Sequence, residues 1–527
     1  MGLRRCLSVL LLLACLALGA AGGAGGSPPA HRIGGIVPPF GKAPAPQVVT
    51  SDAARGGCHG PSKVADCGLL RYGGGPVMHS STVYTIFWQP AGYTSWDGQP
   101  AYSAGYQSLI ARYFQDLQAD SGLLTNVYGA GTQYCSGAPI GLAACTGVAA
   151  DDFITTDVTY GGSWTDTQSL PASGCTDPFG AAPHCLTDGQ ITNEIQHAIA
   201  VNSGNGWAAS ATNIFFVYTP RGVQTCVDSG GPFGTCAYNV YCAYHGNVGS
   251  GSNALIYANM AYPLFDGLDV CRDAEHVQEP NGDIADAVLS LTSHEHAEAI
   301  TDPEPFGGWL DAEDFVTGGE NGDKCSYYYG KHTGPKGSKH NQVINGHEYY
   351  LQLEWSNADA DCVVSYSPGS VSRLSPSHGV VGQPITITGH KLTDVTTVEF
   401  GGTAALSVVE RSGKVTAVPA PGATGGPTRV TTGHGVIDGP VFTLDPSPAP
   451  AIKSFTKKSA AGKNVTVGGS GFWGASSVRV GGVDVESFVV KSDTKLTFVV
   501  AAGNTSGPIS VNTPGGTAVS PGTLTIS

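Results

Sequence analysis

The sequence predicts an α/β (α+β), disulfide-rich N-terminal domain followed by two all-β sandwiches. Three observations predict it. Buried-strand and amphipathic-helix patterns alternate between about residues 68 and 366. Twelve cysteines run from Cys58 to Cys362, and none lies beyond. From residue 369 onward the chain repeats itself at a spacing of 80 to 81 residues.

The N-terminus reads as an export signal over residues 1–26. Arg4 and Arg5 precede an apolar run from Cys6 to about Ala21, which gives way to Ala-Gly-Gly-Ala-Gly-Gly. The run is short for a membrane span and is followed by small uncharged residues, so cleavage is favoured over anchoring. Leu12-Leu13-Ala14-Cys15 resembles a lipobox, which makes lipoprotein anchoring through Cys15 the lesser alternative. Residues 27–60 are rich in Gly, Pro and Ala and predict a flexible leader.

In the region 61–367, Val83 to Trp88 is β-branched and aromatic and predicts a buried strand. Leu109, Ile110, Tyr113, Phe114 and Leu117 recur at helical spacing, as do Ile191, Ile195 and Ile199. Ile214 to Tyr218 and Ala254 to Ala258 predict two further strands. The twelve cysteines, in an exported chain, predict up to six disulfides. Cys135 with Cys145, Cys175 with Cys185, and Cys325 with Cys362 are candidate pairs, although spacing does not decide connectivity. No CxxC pair occurs, which argues against a Cys-type zinc site.

Charge is sparse, at 13% of residues, and the net charge is −15. Such acidity excludes a nucleic-acid partner, whose phosphates require basic patches. From residue 369 onward, 12 basic and 8 acidic residues give +4, which leaves −19 on the N-terminal part.

That acidic part holds the most chemically informative stretch, Ser293-His294-Glu295-His296-Ala297-Glu298 through Asp302-Pro303. Asn281-Gly282-Asp283 is a turn and helix-start signal, Ile284, Val288 and Leu291 repeat on one face, and Pro303 stops the helix. The same face then carries His294 or Glu295, and Glu298. Charge on an inward face must be paired or bind metal. H-E-x-x-E has the geometry of the H-E-x-x-H zinc signature, with Glu as the last residue. The fold expectation is therefore zincin-like, with His294 and Glu298 as metal ligands and Glu295 as the catalytic base. Glu320 is the candidate third ligand, and Asp323 orients a ligand imidazole from behind. His296 is a candidate catalytic helper, acting where the helix ends early. A Cys325 disulfide would pin the Glu320 loop. Zn2+ is the expected ion. Ca2+ or another divalent ion is the alternative, because Asp311, Glu313, Asp314, Glu320 and Asp323 crowd together without EF-hand spacing. Glu194-x-x-His197 reads as surface decoration and His245 as structural. No G-x-S-x-G occurs.

The repeat covers 369–446 and 450–527. Gly382, Gly389, Gly401 and Gly402 align with Gly462, Gly469, Gly481 and Gly482. Ile385-Thr386-Ile387 aligns with Val465-Thr466-Val467, and Gly426-Pro427 with Gly507-Pro508. The strand pattern and the Gly-Gly turns resemble the IPT/TIG immunoglobulin-like family, which implies spacing, adhesion or docking rather than chemistry.

Residues 70–365 resemble a second family. Gly74-Gly75-Pro76-Val77-Met78-His79 with Val83 to Trp88, the Pro280 to Asp283 turn, Ser293-His294-Glu295 through Asp302-Pro303, and Glu320-x-x-Asp323-x-Cys325 are similar to the phosphate-induced protein/EXORDIUM-like family. That resemblance implies an exported, cell-wall-associated protein whose microbial relatives look metallopeptidase-like. The expected function is an exported zinc-dependent peptidase-like hydrolase, a monomer acting on a protein, peptide or cell-surface polymer, with no transmembrane segment. The alternative is a non-catalytic adhesion or binding protein whose His/Glu/Asp cluster is structural.

Overall fold

The computed structural model describes residues 31–40, 68–265, 269–272, 277–311, 319–411 and 414–527. The segment expected to be an export signal, most of the expected leader, Cys58, Cys67, Glu313 and Asp314 lie outside them.

The N-terminal region is built on one sheet of six strands: β1 His31–Val37, β2 Ser81–Trp88, β3 Val158–Asp166, β4 Asn213–Tyr218, β5 Ala243–Val248 and β6 Leu255–Met260. Their order across the sheet is β1-β5-β6-β4-β2-β3. The four from β6 to β3 run parallel, whereas β5 is antiparallel to both β6 and β1. Parallel strands are covered on both faces, so β4 and β6 are apolar and buried almost throughout.

Three long helices supply the cover: α1 Tyr106–Ala119, α2 Asp188–Asn202 and α3 Ala285–Thr301. Neighbouring residues of a strand face opposite sides of a sheet. On β5 the Tyr244 hydroxyl reaches Asp188 of α2, and His245 reaches Glu295 of α3. Hence α2 and α3 lie on opposite faces.

α3 begins where the Asn-Gly-Asp turn places it. Asp283 accepts the Ala285 amide at 2.9 Å, and Asp286 accepts the Asn281 amide at 2.9 Å. Past the helix end, the Asp302 carboxylate accepts the amides of Phe306, Gly307 and Gly308 and turns the chain back. Of its 17 residues all but Ala287 are buried. The single apolar stripe was thus too narrow a reading, because strands, α1 and loops enclose this helix on every side.

The candidate disulfides Cys135–Cys145, Cys175–Cys185 and Cys325–Cys362 are present, together with Cys226–Cys236 and Cys242–Cys271. Residues 31–37, expected within a flexible leader, instead form the edge strand β1. Two strands escaped the pattern. β3 carries Gly161 and Gly162, and β5 carries buried His245 and Asn247, so neither shows a clean apolar run.

Each C-terminal repeat is a four-stranded sheet packed on a five-stranded one, and the strand order is the same in both repeats. Ile385, Ile387, Phe400 and Phe442 lie in the first core, and Val465, Val467, Leu496 and Phe498 in the second. The first sandwich touches the N-terminal region through Tyr366 Oη to His434 O at 2.6 Å and Cys145 N to Gly433 O at 2.8 Å.

Separate cores predict separable unfolding. Ile387→Ala or Leu496→Ala should each cost about 2–5 kcal/mol. Calorimetry should show each change lowering one transition and leaving that of residues 68–366 in place.

Candidate metal centre

His294, Glu295 and Glu298 project from the C-terminal half of α3 and are fully buried. The loop after the helix returns Glu320 and Asp323 to the same place, with exposures of 4% and 1%. The Cys325–Cys362 disulfide ties that loop to a hairpin of Glu354–Ser356 and Asp361–Val363. The hairpin contributes Glu354, and Gln352 just precedes it. β5 supplies His245 from the sheet.

These side chains fall into two triads that share Glu298. His294, Glu298 and Asp323 bring one ligand atom each to within 4.8 Å of one another, and so do His245, Glu298 and Glu320. Glu298 turns a different oxygen to each imidazole. Its Oε1 lies 2.9 Å from His294 Nε2, and its Oε2 lies 3.7 Å from His245 Nδ1. Asp323 Oδ1 is 3.6 Å from His294 Nε2, and Glu320 Oε1 is 3.7 Å from His245 Nε2. His294 Nε2 is close to Glu298 Oε1 yet makes no aligned hydrogen bond with it. Such spacing arises when two groups point at a common third position.

The cluster is anionic and poorly satisfied. Buried atoms without a hydrogen-bond partner include His294 Nε2, Glu295 Oε1, Glu298 Oε2, Glu320 Oε1 and both oxygens of Asp323 and Glu354. The ion pairs these groups make among the described residues are to the two imidazoles. An uncompensated buried carboxylate costs several kcal/mol, so such sites hold protons or a cation.

The protonation tendencies agree. Burial pushes the Glu295, Glu320 and Glu354 carboxyls well above the usual carboxylate range. Burial and the Glu298 charge push Asp323 up to about 8. Burial alone would favour neutral His294, but Glu298, Asp323 and Glu295 together hold it charged. Burial also pulls His245 down, against the pull of Glu298. Without a cation, protons neutralise the site.

Backbone and amide contacts fix the ligands. His245 Nε2 lies 3.1 Å from the Asp302 carbonyl, a placement that leaves Nδ1 facing Glu295 and Glu298. Gln352 Nε2 donates to Gly322 O at 3.0 Å, and it lies 2.8 Å from His294 Nδ1. Asp323 N donates to Glu298 Oε1 at 2.8 Å.

β1 closes the site. Gly35 N donates to Glu320 Oε2 at 2.6 Å. Gly35 has φ +50°, and a Cβ there would run into the His245 ring and the Glu298 carboxylate. Glycine is required at this position by both conformation and space.

Several expectations change here. His296 faces away from the cluster. Its nitrogens lie 2.9 Å from Ser81 Oγ and 3.0 Å from Tyr128 Oη, and burial lowers its pKa to about 3. A helix that continues to Thr301 turns adjacent residues 100° apart, so His296 has no access to the cluster. Asp323 lies within the His294–Glu298 group of side chains, and Glu320 joins the His245 triad. His245 is part of the cluster and not merely structural. Glu354 and Gln352 had no sequence signal, because they are single residues in a polar hairpin brought in by a disulfide. Of the acidic segment read as a Ca2+ rival, Asp311 is held by Lys324 Nζ at 2.9 Å. The Cys175, Cys185 and Cys226 group is consumed by two disulfides and offers no thiolates.

The IPT/TIG domain family matches residues 370–442 and 450–526, so the chain carries two IPT/TIG repeats. No curated protein matches the chain. Among solved structures, the SGBP-B protein of a xyloglucan utilization locus in Bacteroides uniformis is 20% identical, with TM-score 0.17. That match covers 30% of this chain and 49% of the other. A surface glycan-binding protein from Prevotella bryantii is 20% identical, covering 28% and 38%, with TM-score 0.16. The plexin A4 extracellular region is 16% identical, covering 32% and 16%, with TM-score 0.20. The chain thus spans under half the length of each of these, and likeness at such scores carries no functional weight. No helix among the described residues is long and apolar enough to cross a membrane.

The placement of His296 predicts a structural phenotype. His296→Ala should lower stability by about 1–3 kcal/mol by leaving Tyr128 and Ser81 without their buried partner. Bound-metal content, measured by plasma mass spectrometry, should be unchanged.

Proposed function

We propose that the N-terminal region is a divalent-metal centre of hydrolase type in an exported protein, held to a polymer or surface by its IPT/TIG repeats. One observation carries this reading: two imidazoles and a set of buried, unpartnered carboxylate oxygens converge around Glu298. The donor set fits cations. His294, Glu298 and Asp323 would hold one, and His245, Glu298 and Glu320 a second, with Glu298 shared between them. Two imidazoles suit Zn2+, Mn2+ or Fe2+ better than Ca2+, which takes six to eight oxygens. Zn2+ remains the first expectation. The motif resemblance to the EXORDIUM-like family, and the zincin-like placement of an H-E-x-x-E helix against a sheet, point the same way.

A bound cation would polarise a carbonyl and make water a better nucleophile at neutral pH. The chain's own part falls to Glu295. Its Oε2 lies 3.3 Å from His245 Nδ1, and its Oε1 is free of hydrogen bonds. Burial raises its proton affinity, which suits a group that takes a proton and returns it.

A second reading is favoured by one specific observation. β1 lies across the site, and its ligands are at most 4% exposed, which leaves no room for substrate. In that reading the ions are structural and the protein is a non-catalytic binder of an extracellular polymer.

Metal analysis of the purified protein should find about two divalent ions per chain. Glu298→Gln should lose both, whereas Glu295→Gln should keep them. Removing β1 by deleting residues 31–37 should raise casein hydrolysis, and adding Glu295→Gln should lower it again by about 10²-fold or more. A metal-free protein would sink the centre. A loaded but inactive deletion protein would leave the binding reading.

A further inference from the structure

A second constellation lies on α2, on the opposite face of the sheet from the metal centre. Trp88 ends β2 and Asp166 ends β3, at the carboxyl ends of neighbouring parallel strands. α2 brings Glu194 and His197 over them, and the loop after β3 adds Gln168. Together with Asn193 these residues line a cleft of about 260 Å³ that is open to solvent. The carboxyl ends of parallel strands are a common place for ligands in α/β sheets.

The cleft contains unmet hydrogen-bonding groups of both kinds. Trp88 is 4% exposed, and its indole Nε1 has no acceptor. Glu194 is 5% exposed, and its Oε1 has no donor. Glu194 is therefore not surface decoration. Burial, and then the charge and hydrogen bond of Asp166, push its carboxyl up to about 8. Asp166 is fixed by the Gln168 amide at 2.9 Å. Gln168 Nε2 lies 2.8 Å from His197 Nε2, and the His197 ring meets the Trp164 edge at 5.5 Å between centroids.

The pairing of a buried donor with a buried acceptor narrows the ligand class. A metal ion would satisfy Glu194 and Asp166 but would face the indole N–H. An anion would satisfy the indole but would meet two carboxyls. A hydroxyl accepts from the one and donates to the other. The Asn193 and Gln168 amides offer further donors and acceptors of the kind that a hydroxyl-rich ligand uses. The volume falls just below the range of drug-sized pockets, which suits one or two sugar rings. We propose that the Trp88–Glu194 cleft is a carbohydrate subsite that takes the hydroxyls of a neutral sugar unit.

The role is binding and not glycoside hydrolysis. Asp166 and Glu194 are within hydrogen-bonding reach of one another. Glycosidases hold their two carboxyls about 5 Å apart or more, to admit the anomeric carbon or a water.

The test uses the full chain, with tryptophan fluorescence and saturation-transfer NMR. The probes are glucose, xylose, cellobiose and xylobiose, with glycerol, CaCl2 and sodium phosphate as controls. At least one sugar should bind with a dissociation constant at or below the millimolar range. Glu194→Gln, and the exposed Asn193→Ala that tests the same cleft without burying a change, should each weaken it about tenfold. His294→Ala should leave it unchanged, which separates this cleft from the metal centre. Absence of binding by every sugar would overturn the proposal. So would equal affinity for glycerol, tighter binding of Ca2+ or phosphate, or sugar binding that both variants leave intact.

Discussion

The cost of burying carboxylates is the constraint on which the N-terminal region depends. Glu295, Glu298, Glu320, Asp323 and Glu354 are all removed from water around two imidazoles. Hydrophobic burial of α3 draws Glu295 and Glu298 inward, because Val288, Leu289, Leu291 and Ile300 on the same helix belong to the core. Desolvation makes each charge expensive there, and only protons, imidazolium or cations can neutralise it. The surrounding architecture serves that balance. One disulfide pins the Glu320 loop to the Glu354 hairpin, another holds Cys242 near His245, and the Asp302 carbonyl and the Gln352 amide contact the two imidazoles. Affinity for any cation held there would be linked to fold stability, since these side chains converge only in the folded chain.

The same constraint explains why β1 matters beyond its length. Without it, β5 would be a sheet edge and Glu320 would lose a backbone donor. Its Gly34-Gly35 pair lets a main chain approach the carboxylates where a side chain could not. The strand therefore completes the sheet, satisfies one acceptor and sets access to the centre.

The C-terminal sandwiches follow a different logic. Their cores are apolar, and their repeated Gly-Gly turns at 401–402 and 481–482 adopt positive φ. They hold few buried charges. An acidic N-terminal region with buried polar sites is thus joined to two self-contained β units that together carry a net charge of +4.

The three long helices, three of the six sheet strands, the disulfide-rich first part and the two repeats were legible in the sequence. Each rests on local physics: apolar periodicity, β-branched runs, Pro and Gly punctuation, and cysteine counts. α3 was readable from the Asp283 cap to the Pro303 stop, and so was its His294-Glu295-Glu298 face. Tertiary structure decided what that face meets. His245 comes from a strand that polar residues disguise, and Glu354 from a hairpin tied by Cys362. Gly35 comes from a leader whose composition reads as flexible. Helix length turned His296 to Tyr128, and sheet topology set Trp88 beside Glu194, residues with no spacing in common. Local sequence determines which elements form and which side chains can do chemistry. Which of them converge depends on long-range packing, because burial energy is shared among elements far apart in the chain.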